Sequence, residues 1–133
     1  MSPDLEMSVR LLLAAFLGGL IGVQREKTGK PAGLRTHMLI CIGATLFTLV
    51  SVFGFAENLD SSRVAAGVVT GVGFIGAGAI IFRSQEGYVT GLTTAATIWI
   101  VAGIGVAVGA GLYIASVITT AITLAVLFIP HIK

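Results

Sequence analysis

The stretch Val64–Phe82, VAAGVVTGVGFIGAGAIIF, limits the fold more than any other part of the chain. It holds no charge, no leucine and no proline, and about half of it is glycine or alanine. As a helix, such a stretch rises about 28 Å, close to the thickness of a bilayer's hydrocarbon core. At helical spacing Ala66, Gly67, Thr70, Gly71, Gly73, Ala77 and Gly78 share one broad side, with Val68, Val69, Val72 and Ile80 opposite. Small residues let helix backbones approach closely in lipid. The stretch therefore reads as the central helix of a membrane bundle, with Gly67, Gly71, Gly73, Gly76 and Gly78 as its packing positions. On this reading Gly71→Leu destabilises the bundle far more than Val69→Leu.

Gly71-Val-Gly73-Phe-Ile-Gly76 also matches G-x-G-x-x-G. The dinucleotide fingerprint needs a preceding strand, a following amphipathic helix and an acidic residue about 20 positions on. Both flanks here lead into further apolar spans, and close packing explains the same glycines.

At 56% hydrophobic and 11% charged residues, with a mean hydropathy of +1.02, the chain is far from a soluble globule with about 25% charge. Its length leaves no room for a second domain, so residues 1–133 form a single transmembrane domain. Cys41 is the one cysteine, so an internal disulfide is impossible. Asp4 and Glu6 stand where a signal peptide carries positive charge, and no small-residue cleavage site follows. The pI near 9 comes from basic residues clustered in one loop, a pattern of membrane topology and not of nucleic-acid binding.

The pattern predicts an all-α bundle of five transmembrane helices at about 7–23, 38–56, 64–82, 91–109 and 112–129. Gly109-Ala110-Gly111 leaves only a tight turn between the last two, and Pro130 stops the fifth. With the loop Gln24–Arg35 inside, Arg25, Lys27, Lys30, Arg35, Arg83 and Lys133 are cytoplasmic and only Arg10 and Arg63 lie outside. This positive-inside bias predicts an external N-terminus and a cytoplasmic C-terminus.

No ionisable residue falls near the middle of a span, which removes the usual mark of proton relays and many ion-coupled transporters. Arg10 can snorkel outward from its span end. Mid-membrane polarity is limited to hydroxyls and Trp99, whose N–H is expected to find a partner inside the bundle. Thr93, Thr94 and Thr97 lie on span four, and Ser116, Thr119, Thr120 and Thr123 form a stripe on span five. Helix contacts or bonds to their own preceding turns account for them better than an ion path does. Tyr88 and Tyr113 read as interface anchors.

Polar chemistry gathers at the cytoplasmic level, where Arg25, Glu26, Arg35, Thr36, His37, Arg83, Glu86, Thr93 and Thr94 stand at helix ends. The N-terminus of span four points there and favours an anion or a Glu side chain. Glu26, His37 and Glu86 are weak metal candidates, since they come from separate loops. Gly29-Lys30 precedes Pro31 and not Ser or Thr, and neither G-x-S-x-G nor H-E-x-x-H occurs. The chain does not read as an enzyme, and nothing in it calls for a cofactor.

Four strings, Gly19-Leu-Ile-Gly-Val-Gln-Arg-Glu26, Lys30-Pro-Ala-Gly-Leu-Arg-Thr-His37, Gly71-Val-Gly-Phe-Ile-Gly-Ala-Gly78 and Gly91-Leu-Thr-Thr-Ala-Ala-Thr97 with Trp99, resemble the MgtC/SapB family of bacterial inner-membrane proteins. The family usually has an acidic residue where this chain has Gln24. The resemblance implies a four- or five-span domain that associates as a dimer. It also implies a role in growth at low magnesium and in intracellular survival (virulence), with the F-type ATP synthase as a regulated partner. Several members continue into a soluble ACT-like domain, so the chain resembles either the short form or a longer member cut before that domain, with signature positions at Arg25, Glu26, Gly33, Arg35, Thr36, Gly73, Gly76, Gly78, Thr93 and Thr94. A regulator of another membrane complex is thus the first expectation. A small oligomeric channel or transporter, for magnesium or another small solute, is the second. A magnesium sensor is the third, to be stabilised by the ion until Glu26→Gln or Glu86→Gln removes its site.

Overall fold

The computed structural model describes residues 2–54, 62–83 and 91–130, with only the backbone for Phe82 and Arg83. Five helices run in order, α1 (Pro3–Lys27), α2 (Leu34–Phe53), α3 (Ser62–Arg83), α4 (Leu92–Gly109) and α5 (Tyr113–Leu127). The first four are long and apolar enough to cross a membrane. Helix α5 has 15 residues, a rise of about 22 Å against a hydrocarbon core of about 30 Å. The expectation of five spanning helices is therefore met by four, with a shorter apolar fifth.

Local chemistry accounts for the ends. Ser2 caps α1 by accepting from Leu5 N at 3.2 Å, and Pro3 supplies a fixed φ at the first position. Arg25 and Lys27 sit in the last turn, where cations suit the carbonyl end. Gly111 makes the α4–α5 turn with φ +85°, and a Cβ there would stand 3.2 Å from Arg10 Nη2.

The core lies between α1, α2 and α4. Ala14, Leu17, Ile21, Cys41, Val101, Ile104 and Val108 form one buried cluster. Ala44, Val68, Val72, Ile98 and Ala102 form a second, where α3 leans on α2 and α4. Half of α4's apolar window is buried but only 11% of α3's. The central helix is α4, and α3 lies at the edge.

The central place expected for the glycine-rich helix thus goes to α4. Among the described residues of this one chain, a Cβ added at Gly67, Gly71, Gly73 or Gly78 would meet nothing within 4 Å, and of the α3 packing glycines Gly76 alone touches a neighbour, Ala95 of α4, at 3.5 Å. The close backbone approaches are elsewhere. A Cβ at Gly18 would stand 2.8 Å from His37 O, and one at Gly22 would stand 2.7 Å from Leu34 Cα. At Gly105 it would stand 2.5 Å from Cys41 O, and at Gly109 2.6 Å from Thr48 Cβ. Thr45 Oγ1 adds a 2.8 Å hydrogen bond to Gly105 O across the α2–α4 contact. Within one chain, Gly71→Leu therefore has room.

Two grooves border α3. One of about 600 Å³ between α2 and α3 is lined by Leu39, Gly43, Phe47, Gly67, Gly71 and Ile75 among others. The other, about 340 Å³, runs between α3 and α4 beside Trp99. Trp99 is 57% exposed, so its indole stands on the outer surface and not inside the bundle.

Candidate functional site

The α1–α2 turn brings three helix ends together. Arg25, in the last turn of α1, is 3% exposed. Its Nη2 donates to Pro31 O at 2.9 Å and, by a short hydrogen bond, to Thr94 Oγ1 in the first turn of α4. Its Nε is buried without a partner, as is Gln24 Oε1. His37, in the first turn of α2, is fully buried. Its Nδ1 lies 3.0 Å from Gly33 O and its Nε2 lies 3.1 Å from Thr97 Oγ1.

These distances constrain the protons. Gly33 O can only accept, so Nδ1 carries a hydrogen. In the neutral ring Nε2 then accepts from the Thr97 hydroxyl. The Thr97 hydroxyl also lies 2.8 Å from Thr94 O. If it donates there instead, His37 needs a second ring proton to keep Nε2 bonded. With the Arg25 cation in the same network, the neutral ring fits better.

Arg25, His37, Thr94 and Thr97 thus form one buried polar network joining α1, α2 and α4. The sequence marks three of these residues as a cytoplasmic cluster. Thr97 is missed as a member, although its i, i+3 spacing from Thr94 places both on one face. The remaining cluster residues stay out of the network. Arg35, Thr36 and Thr93 are exposed, and so is Glu26, whose Oε1 lies 2.9 Å from where a Gly33 Cβ would stand. The Arg83 side chain and all of Glu86 and Tyr88 lie outside the described residues.

Of the metal candidates Glu26, His37 and Glu86, the first two lie among the described residues and Glu86 lies outside them. No group of three His, Cys, Asp or Glu occurs among the described residues. His37 has both nitrogens engaged inside the bundle, whereas Glu26 faces outward.

The opposite end holds a second polar knot. Arg10 is 8% exposed and does not snorkel. It donates to Glu6 Oε1 at 2.6 Å, Gly109 O at 2.7 Å and Tyr113 Oη at 2.9 Å, tying α1 to the α4–α5 turn. Tyr113 is therefore part of a fastening. In sequence, Arg10 and Tyr113 are too far apart for any local pattern to pair them.

Three of the four hydroxyls in the α5 stripe close on their own backbone. Ser116 donates to Tyr113 O, Thr120 to Ser116 O and Thr123 to Thr119 O, at 2.7–2.8 Å. This is the expected local bonding of mid-helix hydroxyls.

Residues 11–132 match the sequence model of the MgtC family. The chain belongs to that family. It is 50% identical to “Putative magnesium transporter YhiD” of Escherichia coli (strain K12), covering 95% of this chain and 61% of that protein. It is 44% identical to “Protein SrpB” of Synechococcus elongatus, over 90% of this chain and 72% of the relative. It is 48% identical to “Protein MgtC” of Brucella abortus (strain 2308), over 85% of this chain and 46% of the relative. The chain thus spans about three fifths of the Escherichia coli relative's length. No solved structure matches it. Family membership and four long apolar helices make this a multi-pass membrane protein.

Proposed function

We propose that this chain is a non-enzymatic regulatory protein of the bacterial inner membrane, acting by docking other membrane-embedded helices along the outer side of α3. The observation that carries the reading is the disposition of its glycines. The bundle's own close contacts use Gly18, Gly22, Gly105 and Gly109, while Gly67, Gly71, Gly73 and Gly78 stand open beside an apolar groove. In lipid such a surface lets another helix come close. A second copy of the chain is one occupant, giving a homodimer, and a subunit of the F-type ATP synthase is the other. The process served is adaptation to low magnesium and, in a pathogen, survival inside host cells. The magnesium link draws support from the family and from the name of the Escherichia coli relative. The N-terminus is external and the C-terminus cytoplasmic, following the basic loop.

A photo-crosslinking residue in place of Phe74, which is 77% exposed on α3, tests this in native membranes. Capture of a second copy or of an ATP synthase subunit is expected, and capture of neither refutes it. The name of the Escherichia coli relative favours a second reading, a magnesium transporter. Magnesium flux into liposomes holding only this chain, lost in Thr97→Val and Thr120→Val, decides for it. The Ser116, Thr120 and Thr123 hydroxyls, each bonded to its own turn, speak for the regulator.

A further inference from the structure

Among the described residues, the partners of the buried Arg25 cation are all neutral. Its Nη2 binds a carbonyl and a hydroxyl, its Nε binds nothing, and no described carboxylate bonds to it. A guanidinium withdrawn from water is costly unless an anion faces it. Glu26, next in sequence, is exposed.

The surroundings add positive potential. The cation bonds to Thr94, in the first turn of the 18-residue α4, whose N-cap is Gly91 with no capping side chain. The first backbone bond of α4 runs from Ala95 N to Gly91 O at 2.9 Å, so the amides of Leu92, Thr93 and Thr94 precede the helical ladder. Helix α2 begins at the same end, also without a side-chain cap, at Gly33. The guanidinium, its Nε unbonded, reaches the first turn of α4, the Glu26 carboxylate stands beside Gly33 at the start of α2, and Lys27, Lys30 and Arg35 of the same α1–α2 segment are exposed. Helix N-termini and arginine forks are both complementary to oxyanions.

We propose that this end of the bundle binds a phosphate-type oxyanion, held by Arg25 and the first turn of α4. The phosphate comes either from a lipid headgroup at the membrane surface or from free inorganic phosphate. The site is separate from the α3 surface, so it stands or falls independently of the regulator reading.

Thermal unfolding of the purified, delipidated chain in detergent tests it, with inorganic phosphate titrated against chloride at equal ionic strength. Native mass spectrometry of protein taken from phosphatidylglycerol nanodiscs is the second arm. A saturable rise in Tm with phosphate alone identifies the free ion. Phosphatidylglycerol retained by the wild type and lost in Arg25→Lys identifies the headgroup. Arg25→Lys keeps the charge but loses the fork, and requires about tenfold more phosphate for the same shift. Thr94→Asp places a carboxylate where Arg25 already bonds, so its Tm in chloride rises and its phosphate response disappears. Arg25→Gln loses the response or fails to fold, and the other two variants decide in that event. The proposal is overturned if phosphate and chloride give the same Tm and no phospholipid is retained. It is equally overturned if Thr94→Asp responds like the wild type, or if phosphate is inert while Glu86→Gln lowers the Tm.

Discussion

Replacing Gly105 with alanine should be among the most damaging single-methyl changes in this protein. The new Cβ would stand 2.5 Å from Cys41 O and 2.7 Å from Ala44 Cβ. Cys41 O is backbone, so no side-chain rotation relieves the clash and α2 must move away from α4. Overpacking of this kind costs about 1–3 kcal/mol. The same displacement stretches the Thr45 hydrogen bond to Gly105 O, worth about 0.6 kcal/mol or somewhat more in a membrane setting. Alanine's better helix propensity returns about 0.5–1 kcal/mol. The net loss is about 1–3 kcal/mol. Gly71→Ala meets nothing within 4 Å, so only the propensity gain of about 0.5–1 kcal/mol remains. Reversible unfolding of monomeric protein in mixed micelles, followed by Trp99 fluorescence, measures both. A Gly71→Ala loss as large as that of Gly105→Ala would refute the assignment of the close contact to α2 and α4.

Other substitutions probe the two polar ends. Tyr113→Phe removes one acceptor from Arg10 and should cost about 1 kcal/mol in the same unfolding assay. Thr97→Val leaves His37 Nε2 buried and unmatched, at a cost of about 1–3 kcal/mol, whereas Thr120→Val loses only a bond to its own turn and should cost less than about 1 kcal/mol. Cys41 is 0% exposed, so a maleimide should leave it unmodified in the folded chain and label it fully after unfolding, as read by mass spectrometry. Magnesium should leave the Tm unchanged, because His37 is engaged inside the bundle and Glu26 faces away. A magnesium-dependent rise lost in Glu26→Gln would overturn that.

Helix placement was legible in the sequence because apolar runs of helical length, broken by Lys30-Pro31 and Gly109-Ala110-Gly111, leave few alternatives. Every predicted span overlaps an observed helix, and the errors are a few residues at the ends. Which glycines touch was not legible. Gly67 and Gly105 sit in equally apolar helices, and a one-dimensional pattern reports that a face is small without reporting what lies opposite. The polar network was half legible. Arg25, His37 and Thr94 are marked by their positions at helix ends, but burial of Arg25 depends on how α1 meets α4. Arg10 was misread for the same reason, since snorkelling and inward bonding look identical until Gly109 and Tyr113 are in place.

The two glycine sets have different consequences for how the protein uses its surface. Gly18, Gly22, Gly105 and Gly109 are already spent on intrachain contacts, and any side chain there displaces backbone or a packed neighbour. The open glycines of α3 contribute nothing to the described bundle and weaken the helix by about 0.5–1 kcal/mol each relative to alanine. A cost of that size, repeated at Gly67, Gly71, Gly73 and Gly78, is one that the helix contacts proposed above would offset. Double substitution of Gly67 and Gly71 by alanine therefore separates stability from association. The monomer should become more stable in micelles, while crosslinking through Phe74 in native membranes should fall. If crosslinking persists unchanged, α3 does not meet its neighbour through these glycines.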